Sequence, residues 1–529
     1  MSKTNGSSNI HRVTCDDPPF LFHCGEGYLR HRLPAGTDVI YPNDPLSPIP
    51  DRRGAIIHAI DHPEGTEPLD AHLKPGMKVT IAFDDVSLPL PRMPKPDIRQ
   101  TVIEIVLERL EKAGVTDIEL ICAICLHRRC TPKELRHFVG TEVFKRFWPH
   151  RLYNHDAEAP GGNTLLGETE TGEEVEINRR AVESDLLIYV NINLATMDGG
   201  HKSVPVGLST YRSVRHHHNA KTMLHDSSYM DPPNSAFHRS CERMGAVVSK
   251  HVKIFTIETT LNGDTFHNML GFLQKRESAW NFSDHLAFHG SRIGLKTLPG
   301  PLRRKAYNAL PSAYGLTGVH AGETEAVHRK TIVGVDQQQQ VHVPEPYDIV
   351  ILGLPSIGPY NVDSILNPIL VHCLGLGYFF NFYRNRPYVR KGGIIILLHP
   401  IENKFHRVHH PSYYDFFEDL LPQTGDPKEL GHRFEESYAN NERYIDLYRN
   451  SYAYHGVHPF YMWYWASHGA AHVGKVLSVN PSSDVAARRL GYEITQSFDA
   501  ALNRARDIEG KDASVCYFHC PPVTMCDVG

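Results

Sequence analysis

The sequence predicts an α/β fold: two α/β domains with mainly parallel sheets and a functional cleft between them. Three observations carry this. Short runs of β-branched and apolar residues recur along the chain, amphipathic helical stretches alternate with them, and 529 residues are too many for one ordinary domain. Continuous rather than alternating apolar runs are what strands buried on both faces by helices require.

The first strand is expected at 77–83, Met-Lys-Val-Thr-Ile-Ala-Phe. A helix follows over 97–113, with Ile98, Val102, Ile105, Val106 and Leu110 at helical spacing and Gly114 where a C-terminal cap belongs. Residues 117–126 form the next strand. Thr131-Pro132-Lys133-Glu134 then supplies an N-cap, a first-turn proline and a capping-box glutamate. Further strands are expected at 185–192 and near 247–260. The pattern resumes with strands at 347–354, 393–398, 474–479 and 513–518, and helices near 364–375, 412–421 and 484–508. The organisation that follows is a flexible N-terminal lead over 1–30, a first domain over 31–290, a linker region over 291–345, and a second domain over 346–529. Gln337 to Gln340 mark a solvated loop in the linker.

Composition excludes several classes. A hydrophobic fraction of 41% and a charged fraction of 22% are ordinary for a globular protein and set aside a disordered or fibrous chain. A net charge of −5 lacks the basic excess of a nucleic-acid binder. No apolar run reaches the ~18 residues of a membrane span. Ten cysteines with no apolar leader at Met1–Ser8 read as reduced cytoplasmic thiols. Cys122 and Cys125 lie inside an apolar strand and read as core thiols. Cys516, His519, Cys520 and Cys526 lack a second zinc half-site. Histidine is abundant, with 34 residues, and points towards metal or proton chemistry.

In open α/β sheets, ligands bind beyond the carboxyl ends of strands. Asp84, Asp85 and Ser87 follow the first strand, where carboxylates can orient a ribose or a histidine. His127-Arg128 follows the second, with His127 placed as a general base. Asn193 ends the third. Gly199-Gly200-His201-Lys202 comes next, with paired glycines that allow close approach of a ligand and a lysine suited to a phosphate or a covalent bond. His216-His217-His218 can present one imidazole to a metal. Tyr360-Asn361 and His399 follow strands of the second half, and Tyr461-Met462-Trp463-Tyr464-Trp465 reads as packing that also lines the pocket. His406, His409 and His410 read as a polar loop.

Taken in order, these pieces resemble the nickel-pincer lactate racemase family, from about residue 30 to the C-terminus and best over 77–265. The matching positions are Asp85, His127-Arg128 with Thr131, Gly199-Gly200-His201-Lys202 and His218. The resemblance implies a nickel-pincer nucleotide, a pyridinium-3-thioamide-5-thiocarboxylate mononucleotide carrying nickel and tethered to Lys202. It implies cofactor contacts from Gly199, Gly200, Asp84, Asp85, Ser87, Tyr360 and Asn361, and a nickel ligand at His218, with His216 and His217 as the neighbouring choices. Sulfur and carbon donors with one imidazole suit planar nickel. It further implies a small 2-hydroxy acid substrate, cofactor-assembly enzymes as partners, and reversible hydride transfer with His127 as the base.

The sequence departs from the family in four places. Asn193 lies where a second catalytic histidine is expected, Leu88 replaces an arginine with Arg92 four residues on, Val206-Gly207 replaces Pro-Gly, and a lysine after Tyr360-Asn361 is missing. His399 is the expected replacement acid/base. Three further functions fit the sequence: a transhydrogenase exchanging hydride between hydroxy/keto acid pairs on the same cofactor, a non-catalytic nucleotide- or metal-binding descendant, and a zinc or iron hydrolase.

Overall fold

A computed structural model describes residues 9–225 and 227–529. Two sheets dominate. The first has six strands in the order Leu316–Gly322, Ile254–Leu261, Leu186–Asn193, Lys78–Asp84, Asp117–Ala123 and Leu152–Asn154. All pairs are parallel except Leu316–Gly322 against Ile254–Leu261. The second has seven, in the order Ile10–Arg12, Asp38–Ile40, Val515–Phe518, Tyr347–Gly353, Val389–Leu398, Lys475–Val479 and Glu493–Thr495. Only the first pair there is antiparallel. The predicted α/β class with mainly parallel sheets is thus observed.

Local sequence explains the elements next to the cleft. Leu186–Asn193 is buried along its whole length, as a central parallel strand must be. Asp97 caps the helix Ile98–Lys112 by accepting from the Arg99 amide, and its apolar stripe faces the core. Thr131 and Glu134 form the expected capping box of the helix Pro132–Val139. One apolar core runs through both halves, from Ile81 and Phe83 to Tyr461 and Trp465.

Several expectations need correcting. Of the expected lead over 1–30, residues 1–8 lie outside the described residues. Residues 10–12 add an edge strand to the second sheet, and Phe20–Cys24 pairs with Gly27–His31 as a hairpin. The expected linker region supplies an edge strand of the first sheet and three helices, Phe282–Thr297, Gly300–Asn308 and Thr324–Gln339. The glutamine run closes the last of these. Gln338 and Gln339 are buried, bonding the Leu46 amide and the Leu194 carbonyl, so tertiary contacts override their polar composition. Residues 247–249 end the helix Ala236–Ser249 rather than starting a strand. The stretch 484–508 is two helices separated by the strand Glu493–Thr495. Among the described residues no helix is long and apolar enough to cross a membrane.

Candidate active site

Strand ends of both halves meet around a cleft holding about 1080 Å³ of empty space, its open mouth included. His127, Lys202, His218 and Asp198 line it from the first half, and Tyr360, Tyr378 and Trp465 from the second. His127 follows the turn after Asp117–Ala123. That turn is clamped by the second half: His455 donates its amide to the Leu126 carbonyl at 3.1 Å, and the Tyr448 hydroxyl donates to the Cys125 carbonyl at 2.6 Å.

The imidazole of His127 bonds Asp85 through Nδ1 at 2.8 Å. Asp85 is buried and also accepts from the Ser87 amide at 2.9 Å and the Ser87 hydroxyl at 2.5 Å. Burial pushes its carboxyl up, but His127 and Ser87 outweigh burial and hold it below the usual carboxylate range. An ionised carboxylate only accepts, so the His127 proton sits on Nδ1 and the lone pair of Nε2 is left for the cleft. No hydrogen bond to that Nε2 is formed among the described residues.

Lys202 ends the turn Gly200–Lys202, and its ammonium meets Asp198 at 3.4 Å. Asp198 is held by the amides of Leu194 and Ala195 at 3.1 and 2.9 Å. Asp84 lies behind, accepting from the Ile192 amide at 2.6 Å. Burial pushes its carboxyl up to about 7, and Asp198 adds to this. The histidine triplet is resolved by packing. His216 turns to Glu174 at 3.8 Å, His217 is buried, and only His218 lines the cleft. The ring of His218 stacks on Trp465 at 4.9 Å, and its Nδ1 bonds the Nδ1 of His217 at 2.6 Å. Burial keeps it neutral far below its ordinary range, so a lone pair is available to a metal.

Other expected residues fall elsewhere. Gly199 and Gly200 have φ of +81° and +60°, and what approaches them is protein: a Cβ would strike Asn193 and Glu258 at the first and His328 at the second. Asn193 is buried under this turn, neither side-chain amide atom is bonded among the described residues, and it does not line the cleft. Arg128 is buried in a two-point pair with Glu134 at 2.7 and 3.1 Å and also donates to the Val362 carbonyl, so its charge serves the fold. Arg92 pairs with Asp363 at 2.9 Å. Asn361 donates to the Ser356 carbonyl on the far side of its loop. Tyr360 lines the cleft, its hydroxyl bonded to that of Tyr378 at 2.9 Å.

His399 corrects the expectation of a second acid/base at the site. The hairpin of residues 20–31 covers this strand end. His399 is buried beside Gly25, accepts from the Ile401 amide, and faces a different cavity with Glu26 and Arg303. Cys122 and Cys125 are buried as expected, Cys122 lies 3.8 Å from Cys130 in the core, and all ten cysteines are free. Cys520 lines the cleft. His410 is no solvated loop residue; it is buried and bonds Asn367.

The sequence did not single out His458. It opens the helix His458–Trp465, and its ring packs edge-on against that of His127 at 5.3 Å. Its Nδ1 bonds the Tyr413 hydroxyl at 2.5 Å, and its buried Nε2 has no hydrogen-bond partner among the described residues. No local signal could have found it, because 331 positions separate it from His127 in the sequence.

The site so defined belongs to a two-sheet α/β protein with an aspartate-anchored histidine, a lysine and a neutral histidine on one cleft. Residues 24–231 match the lactate racemase N-terminal domain. The lactate racemase of Thermoanaerobacterium thermosaccharolyticum is 23% identical over 168 residues, 31% of this chain and 37% of that protein. The lactate racemase of Lactiplantibacillus plantarum is 23% identical over 188 residues, 33% of this chain and 42% of that protein. The aligned regions thus span about two fifths of the length of these relatives. The structure of the lactate racemase apoprotein from T. thermosaccharolyticum superposes with a TM-score of 0.63 at 16% identity, covering 96% of this chain and all of that one. The chain is similar to these lactate racemases over its first half and shares the fold of the T. thermosaccharolyticum apoprotein.

Proposed function

We propose that this chain is a racemase or epimerase of a 2-hydroxy acid that works with a nickel-pincer nucleotide tethered at Lys202, in the cytoplasm. The observation that carries this is the convergence of Lys202, His218 and the Asp85-anchored His127 on one cleft. The donor set fits the group. Among the described residues no cluster of three or more His, Cys, Asp or Glu is arranged to hold a metal ion. A metal at His218 therefore needs its other donors from a bound molecule, which a pincer provides and a zinc or iron hydrolase site would not.

Lys202 would anchor the nucleotide and His218 would supply the imidazole ligand. Such a cofactor, when bound, supplies a reversible hydride acceptor, which no protein side chain offers. His127 does the proton work. Its Nε2 takes the substrate hydroxyl proton and returns it, and positioned proton transfer of this kind contributes ~10²–10⁴-fold. Asp85 holds the ring in the required tautomer and stabilises the imidazolium. Tyr360 and His458 fix its plane by edge-on contacts at 5.2 and 5.3 Å. Leu90, Leu194, Ile357, Phe379 and Trp465 exclude water and favour a substrate with an apolar body. Arg92 and Arg128 are both engaged by acids, which argues against a small carboxylate held as lactate would be by a free arginine.

A second use of the same site is favoured by one observation. If His218 serves a metal, His127 is the one proton-active imidazole among the residues lining the cleft. One base on one face suits hydride exchange between two hydroxy/keto acid pairs. Deuterium on the carbinol carbon separates the two. Racemisation returns the label to the same acid with inverted configuration, and exchange moves it to a different acid. No label movement in the cofactor-loaded protein with a panel of apolar 2-hydroxy acids would overturn both.

A further inference from the structure

The helix Phe282–Thr297 has two apolar faces. Phe288 and Leu295 turn inward, onto Tyr28, Phe272 and Trp280. On the opposite side Phe282, Leu286 and Ile293 are 83%, 64% and 63% exposed, and their spacing puts them on one stripe of the helix. Met269 and Leu302, on the two segments packed against this helix, are exposed as well. Five of the eleven exposed large apolar side chains among the described residues therefore lie within 269–302, so this is a patch and not scatter.

Charge identifies what the patch meets. The whole chain carries −5, yet residues 282–308 hold five basic side chains and one acid. The acid, Asp284, is buried against Lys275. Arg292 and Lys296 lie along one side of the apolar stripe, and with Lys305 they form no ion pair among the described residues. Arg303 and Arg304 share Glu26. A helix with an apolar stripe bordered by cations suits the surface of an anionic bilayer, where the stripe enters the headgroup boundary and the cations stay at the phosphates. A twofold-related copy of the chain would instead bring these cations against one another.

We propose that the helices Phe282–Thr297 and Gly300–Asn308 form a docking surface for an anionic lipid bilayer. The protein rests on the membrane through Phe282, Leu286 and Ile293 and does not span it. Of these helices Gly300–Asn308 reaches inward, through Tyr307 and Asn308, to an apolar cavity that shares Leu90, Ile357 and Gly358 with the cleft of His127.

The test is flotation of the full chain with vesicles of phosphatidylcholine alone and of phosphatidylcholine mixed with phosphatidylglycerol. The expected result is flotation with the mixed vesicles only, weakened by added salt. Arg292→Glu with Lys296→Glu should weaken it at least about tenfold, from the contribution of each cation near a charged surface. Phe282→Ser with Leu286→Ser and Ile293→Ser should abolish it, with thermal melting unchanged because these side chains are exposed. If the triple variant fails to fold, the charge-reversed variant still decides. Equal flotation of wild type and charge-reversed variant, or none by wild type, overturns the proposal. So does a wild-type dimer in sedimentation velocity that the triple variant turns into a monomer, which assigns the face to a second copy.

Discussion

Asp85→Asn exchanges one oxygen for an amide nitrogen and inverts the logic of the proton pair. In the native site the carboxylate accepts from His127 at 2.8 Å and from Ser87 twice. The amide can keep the Ser87 contacts through its oxygen, so its nitrogen faces His127. A donor there requires a lone pair on Nδ1, which drives the imidazole proton to Nε2 and removes the base from the cleft. The charge-assisted bond is lost as well, at a cost of ~1–3 kcal/mol in stability for a buried partner left poorly matched. Turnover should fall by ~10²–10⁴-fold, with KM little changed, because Asp85 does not line the cleft. Nitrogen-15 spectra of histidine-labelled protein, assigned against His127→Asn, should show an Nδ1–H tautomer in the wild type and Nε2–H in the variant. A variant that loses stability but keeps the Nδ1–H tautomer and wild-type turnover would refute the reasoning and leave Asp85 as a fold residue only. Added to His127→Asn, the Asp85 change should cost almost nothing further in turnover, since the two act as a unit.

Other outcomes follow from the same geometry. Gly199→Ala should destabilise by at least ~1–3 kcal/mol in urea unfolding, from a strained backbone alone, because φ is +81° and Asn193 and Glu258 occupy the space of a methyl. Arg92→Ala should leave KM for a hydroxy acid within about threefold, well short of the ~1.4 kcal/mol that means a tenfold change, because Arg92 is spent on Asp363; a large rise in KM would return it to the site. Acid should destabilise the fold early. Burial lowers His23, His217, His372 and His410 to about 3 and His155 to about 4. Their folded values lie below the unfolded 6.5, so the unfolded chain takes up protons first. Stability should then fall as pH drops below about 6.5, by up to ~1.4 kcal/mol per pH unit per histidine. A flat stability between about pH 7 and about pH 5 would contradict their burial as neutral groups.

What was legible in the sequence was local. The strand expected over 117–126, which ends at Ala123 in a turn, the Thr131 capping box and the position of His127 between them each rest on a few consecutive residues. His218 was named through the resemblance with His216 and His217 left open, and its place on the cleft against Trp465 separates it from them. His399 failed although it stands at a strand end as expected, because a hairpin of some three hundred and seventy positions earlier covers that end. Asn193 failed because the Gly199 turn folds back over it. The glutamine run misled through composition, since Gln338 and Gln339 bond buried backbone of distant segments. His458 reaches His127 from a helix of the second half, bonded there to Tyr413, and nothing near either residue in the sequence announces a site.

The most direct measurement is the intact mass and metal content of the protein produced together with pincer-assembly enzymes. A covalent increment with stoichiometric nickel in the wild type, absent in Lys202→Ala and with the increment but not the nickel kept in His218→Ala, is the predicted result. An unmodified wild-type chain that still racemises or exchanges hydride would contradict it.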